Sequence, residues 1–152
     1  MRIVTAIGLA LSLAACGGPP AEPVLGGSAT GSYDGTEFTA ENGFAIAGET
    51  SALVILGNGN LYCGSEEASD PPSGHNAAIR VPALEVGTYS SVFVQMYENV
   101  SAFESTGTNS GTVTLSEVTA TSVAGEVSFS YTDDEGRAYS FSGTFEVTRC
   151  PQ

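Results

Sequence analysis

The chain contains no lysine and no tryptophan, one histidine, and only four arginines (Arg2, Arg80, Arg137 and Arg149) against 17 acidic residues. With a formal charge of -13, it repels a phosphate backbone, which excludes nucleic acid as a partner. Charged residues make up 14% of the chain, where about a quarter is usual. Their place is taken by serine, threonine and 19 glycines, the composition of short strands and tight turns. No segment sustains a 3.6-residue apolar period, so a helical fold is not expected. A length of 152 residues suits one domain and leaves no room for a two-domain enzyme.

The N-terminus reads as an address. One positive charge at Arg2 precedes an apolar run from Ile3 to Ala15, too short to cross a bilayer but of the right length for an export signal. The run ends in Leu13-Ala14-Ala15-Cys16, which resembles the lipobox of bacterial lipoproteins. That resemblance implies a signal peptide over residues 1–15 and cleavage before Cys16. It also implies a diacylglycerol on the Cys16 sulfur and a further acyl chain, such as palmitate, on the new amino terminus. Several acyl chains anchor a protein to a membrane surface stably, where one alone does not. Gly17, rather than aspartate, after the lipidated cysteine resembles the sorting rule for the outer membrane. Residues 16–31, rich in Gly and Pro, read as a lipidated flexible tether, which places a single β-domain at residues 32–152.

Apolar and polar residues alternate most clearly near the C-terminus. Val127, Phe129 and Tyr131 alternate with Glu126, Ser128 and Ser130, and Tyr139, Phe141, Phe145 and Val147 with Ser140, Ser142, Thr144 and Glu146. The period of two predicts a hairpin of half-buried strands turning at Asp133-Asp134-Glu135-Gly136. Further strands are expected at Glu37–Ala47, Ala52–Leu56, Asn60–Cys63, Ala77–Val81, Tyr89–Tyr97, Ala102–Ser105 and Gly111–Val118. The expected breaks are Asn42-Gly43, a hairpin turn at Gly57-Asn58-Gly59-Asn60, and Gly107-Thr108-Asn109. Seven to nine short strands so spaced predict an all-β antiparallel fold, either a β-sandwich or a small barrel.

The segments Gly87-Thr88-Tyr89, Ser110-Gly111-Thr112-Val113-Thr114-Leu115, Val123-Ala124-Gly125-Glu126-Val127-Ser128-Phe129 and Gly143-Thr144-Phe145-Glu146-Val147 resemble an uncharacterised family of small envelope lipoproteins with exported β-domains. Its members end in such a Gly-Thr-hydrophobic hairpin. The resemblance spans roughly Gly35 to Cys150 and implies an antiparallel β-domain with no catalytic residues to transfer.

Two cysteines remain after Cys16. In an oxidising envelope, Cys63 and Cys150 are expected to form a disulfide. The insert after Cys63, from Gly64 to Asn76, is acidic and contains two prolines. It reads as an exposed loop and a possible contact site through Glu66, Glu67, Asp70 and His75. One imidazole among scattered carboxylates matches neither a zinc set nor a calcium-loop rhythm, so no metal site or cofactor is expected. No Gly-x-Ser-x-Gly elbow or phosphate loop occurs, and no catalytic residue is assigned. The sequence therefore predicts a lipid-anchored, non-enzymatic β-domain of the cell envelope, tied to the membrane through Cys16 and displaying a surface to an undefined protein or glycan partner. Two other readings remain open: a small barrel holding an apolar ligand among Phe93, Met96, Phe129 and Phe141, and, less well supported, an enzyme.

Overall fold

The computed structural model describes residues 20–65, 74–97 and 105–151, without the side chain of Ser105. The predicted signal segment, Cys16 and the start of the tether lie outside them. Ten strands are present: β1 (Val24–Gly27), β2 (Thr30–Tyr33), β3 (Thr36–Thr39), β4 (Asn42–Ala47), β5 (Ala52–Gly57), β6 (Asn76–Val81), β7 (Gly87–Tyr97), β8 (Ser105–Val118), β9 (Ser122–Thr132) and β10 (Ala138–Arg149).

The sandwich-or-barrel alternative resolves to a barrel. Strands β4 to β10 each pair with the next, and β10 returns to β4 through a parallel contact at Thr148–Phe44 and Arg149–Ala45, closing a seven-stranded wall. The other neighbours in the wall are antiparallel. β10 is long enough to take three partners in succession on its second edge: β2 at residues 139–142, β1 at 145–147, then β4. Strands β1, β2 and β3 thus fill the gap that β10 and β4 leave above their short contact.

Alternation decides the two faces. Val127, Phe129, Tyr139, Phe141, Phe145 and Val147 point inward with Val54, Ile79, Val94, Met96 and Leu115 to form the main core. Glu126, Ser128, Ser130, Ser142 and Thr144 are exposed outside. An apolar interior behind a hydroxyl-rich wall is the reverse of a barrel built to face lipid. A second, smaller core lies on the outside of β4, β5 and β6, where Phe44, Ile55 and Ala78 are covered by Leu61 and Cys150.

Several sequence expectations change. Val24–Gly27, placed in the tether, and Thr30–Tyr33, with its first two residues placed there, are strands, and Ala29 between them is buried, so the folded domain starts before residue 32. Their pairing is carried by the backbone, which composition does not reveal. Glu37–Ala47 divides into β3 and β4 around Ala40-Glu41. Asn60–Cys63 is not a strand; it belongs to a segment folded over the second core, with the Leu61 side chain as its apolar contact. Asn42-Gly43 lies inside β4 and Gly107-Thr108-Asn109 inside β8. Gly57-Asn58-Gly59-Asn60 opens the long β5–β6 connection rather than making a tight hairpin. Most of Ala102–Ser105 lies outside the described residues. The β9–β10 turn forms as expected, with Gly136 at φ 83°, where a side chain would be strained.

Candidate contact site at the mouth of the barrel

The end of the barrel that carries the β9–β10 turn also carries the β2–β3 turn and the β5–β6 connection. Register places three tyrosines side by side there, with Tyr131 opposite Tyr139 and Tyr139 opposite Tyr33. The Tyr139 ring stands edge-on to Tyr33 at 4.9 Å and is stacked with Tyr131 at 6.1 Å, both favourable arrangements of aromatic quadrupoles. One layer deeper, the same cross-strand row reads Phe129, Phe141, Gly31, Phe38. Gly31 is required. A Cβ built on it would lie 2.6 Å from the Phe38 ring and 2.8 Å from Phe141, so its bare backbone lets those two rings stack at 5.7 Å.

His75 joins this aromatic group. Its ring stacks on Phe38 at 5.4 Å and meets Tyr33 at 5.9 Å. Its backbone is clasped to Asn58: His75 N–H donates to Asn58 Oδ1, and Asn58 N–H to the His75 carbonyl. The imidazole expected to be exposed is therefore half-buried against aromatic faces. Of its proposed companions in the acidic loop, Glu66, Glu67 and Asp70 lie outside the described residues. Cys16 does too.

Above the tyrosines sits Asp133. Its Oδ1 accepts from the backbone N–H groups of Glu135 and Arg137, and its Oδ2 accepts from Arg137 Nε at 2.8 Å and from the Tyr139 hydroxyl at 3.2 Å. Burial alone would raise its pKa. The Arg137 backbone and guanidinium and the Tyr139 hydroxyl together outweigh that effect and hold the carboxyl below its ordinary value. For Tyr139, burial first and then the hydrogen bond to Asp133 push the phenol up to about 12. Arg137 is also 3.2 Å from Glu135. These groups line a cleft of about 440 Å³ with Thr106 and Asp134.

The cleft can hold a polar ligand against tyrosine rings. The Asp133 carboxylate is committed to four hydrogen bonds and stays ionised, so it is poorly suited to proton transfer at neutral pH. Among the described residues, no group of three His, Cys, Asp or Glu side chains could hold a metal ion. Of the four side chains weighed for an apolar ligand, Met96, Phe129 and Phe141 belong to the packed core. Phe93 is half-buried in β7, paired with the exposed Arg80 and out of phase with the buried Val92, Val94 and Met96.

Cys63 and Cys150 form the disulfide. It pins the segment after β5 to the end of β10, and Glu22 docks on the same segment through Glu22 N–H to the Leu61 carbonyl and Cys63 N–H to Glu22 Oε1. Sequence reasoning missed the tyrosine row and Asp133. Tyr131 and Tyr139 are equidistant from Glu135, so the hairpin turn carried a signal for their pairing, whereas Tyr33 comes from a strand that composition hid. No family model matches the chain, and no curated protein or solved structure matches it.

Proposed function

We propose that the protein is a lipid-anchored, non-enzymatic β-barrel lipoprotein of the bacterial cell envelope, held on the outer membrane through Cys16. In this reading the barrel mouth and its adjoining outer wall form the contact surface for a protein or glycan partner. One observation carries the contact role: the mouth cleft is lined by tyrosine rings and by a carboxylate–guanidinium pair engaged with each other and with Tyr139, an arrangement for recognition rather than for proton transfer. The anchoring role is supported by Leu13-Ala14-Ala15-Cys16 at the end of a short apolar run. The apolar-ligand reading loses ground because three of its four side chains pack in the common core while the fourth lies on the other face of its strand.

The experiment is mass analysis of the protein from its native envelope, alongside Cys16→Ser. The expected result is a mature N-terminus at Cys16 carrying acyl mass, and loss of that mass and of membrane association in the variant. A mature protein beginning elsewhere without acyl chains would overturn the anchor.

A further inference from the structure

The outer wall carries an ordered array of hydroxyls that alternation alone does not require. Following the pairing register across six strands, one row reads Ser90 on β7, Thr112 on β8, Ser128 on β9, Ser142 on β10, Thr30 on β2 and Thr39 on β3. All six are exposed. The next row toward the mouth reads Ser130, Ser140, Ser32, Glu37. Hydrophilic strand faces ordinarily mix charges of both signs, whereas here uncharged hydroxyls repeat from strand to strand at a spacing of about 4.8 Å.

Where these rows cross β10, β2 and β3, the wall is concave. A depression of about 430 Å³ takes in Thr30, Thr39, Ser142, Ser32 and Ser140. Through Ser32 and Ser140 it joins a second depression of about 320 Å³ beside Tyr131, and through Tyr131 and Tyr139 that one joins the mouth cleft. The two wall depressions, sharing Ser32 and Ser140, make a hydroxyl-rich trough that ends on the half-buried Tyr131 ring, with the charged mouth cleft beyond it.

We propose that this trough binds one extended strand of a neutral polysaccharide, an assignment that rests on the contact-surface reading above. A hydroxyl both donates and accepts, so a row of them can meet the hydroxyls of successive sugar units. The strand spacing is close to the length of one pyranose unit. Glu37 and Glu41 at the trough can accept from sugar hydroxyls, and Tyr131 offers a ring on which a pyranose face can lie. Charge selects the class of polymer. The chain has no lysine, and Arg137 is taken up by Asp133 and Glu135, so polyanions are repelled. A peptide would seek a main-chain edge or apolar pockets, whereas the hydroxyl rows run across the sheet face through side chains, perpendicular to the edge that β3 presents beyond its pairing with β2.

The test is affinity electrophoresis of the full-length protein in detergent through gels containing soluble mixed-linkage β-glucan, hydroxyethyl cellulose or alginate. Retardation is expected in at least one of the neutral glucans and not in alginate. The double variant Thr30→Val/Ser142→Val should weaken retention on the order of tenfold, as loss of one or two hydrogen bonds implies. Ser90→Val, in the same row but outside the trough, should leave it unchanged. Ser142→Glu, which fills the trough from an exposed position, provides the same loss if the double variant melts early. Retardation in alginate, retention insensitive to the trough variants, or equal loss with Ser90→Val overturns the assignment. A photo-crosslinker at position 140 separates the two levels. With no glucan retention, crosslinks to an envelope polypeptide overturn the glycan and leave the contact-surface reading standing, whereas absence of both overturns both.

Discussion

The Tyr139 hydroxyl donates to Asp133 Oδ2 across the β9–β10 turn, so the tip of the hairpin and the aromatic row beneath it act as one unit. The bond opposes change at both ends of the pH scale. The folded Asp133 carboxyl lies below its unfolded value of about 3.9. Its stabilisation is therefore present above about pH 4 and is lost as pH falls through the lower folded value. The Tyr139 phenol moves the other way, from about 10 unfolded to about 12 folded. Its stabilisation is present below about pH 10 and is lost as pH rises through 12. Denaturation midpoints measured against pH should fall in both windows. Asp133→Asn should flatten the acid limb and Tyr139→Phe the alkaline limb; absorbance titration should show late ionisation from both Tyr139 and Tyr97, whose phenol burial also raises, and the Phe variant should remove only the Tyr139 part.

Parity along β10 separates inside from outside within one residue. Phe141 is fully buried and Ser142 exposed. Phe141→Ala should cost about 3–5 kcal/mol in denaturant melts, the usual toll for a large side chain in a core. Ser142→Ala should stay within about 0.5 kcal/mol of the parent.

Gly31 tests the aromatic layer. Gly31→Ala puts a methyl group where the Phe38 and Phe141 rings meet, and overpacking of this kind costs roughly 1–3 kcal/mol. Adding Phe38→Leu should recover part of that loss, because the second change opens the space the first one fills. A double-mutant cycle with no coupling between positions 31 and 38 would contradict the packing.

The disulfide closes a loop between residues 87 positions apart. In the chain-entropy model this is worth roughly 4–5 kcal/mol, enough to lower the melting temperature by about 10 °C or more on reduction. Cys63→Ser/Cys150→Ser should show the same drop without reductant, and hydrogen exchange should rise first in residues 58–63 and at Glu22.

What was legible in the sequence was local. Val127, Phe129, Phe141 and Phe145 announce their strands because each alternates with a polar neighbour, and Asp133-Asp134-Glu135-Gly136 announces the turn between them. Barrel closure was not legible, since it depends on a two-residue parallel contact between β10 and β4 that leaves no periodic trace. Leu25-Gly26-Gly27 and Thr30-Gly31 read as a tether because these stretches have little to bury; they are held by backbone pairing and, at Gly31, by the lack of a side chain. The same reason hid Tyr33, and with it the mouth. Asn60–Cys63 misled in the opposite sense, because its apolar residues serve a patch outside the barrel.

β10 has β9 on one edge and β2, β1 and β4 in turn on the other, and all four precede it in the chain. An unfinished polypeptide therefore has a breach where the wall must close, and the loop entropy of gathering these distant partners is recovered only when 12 late residues arrive. Such a connectivity delays folding until β10 is available. β10 acts as the keystone that ends the delay.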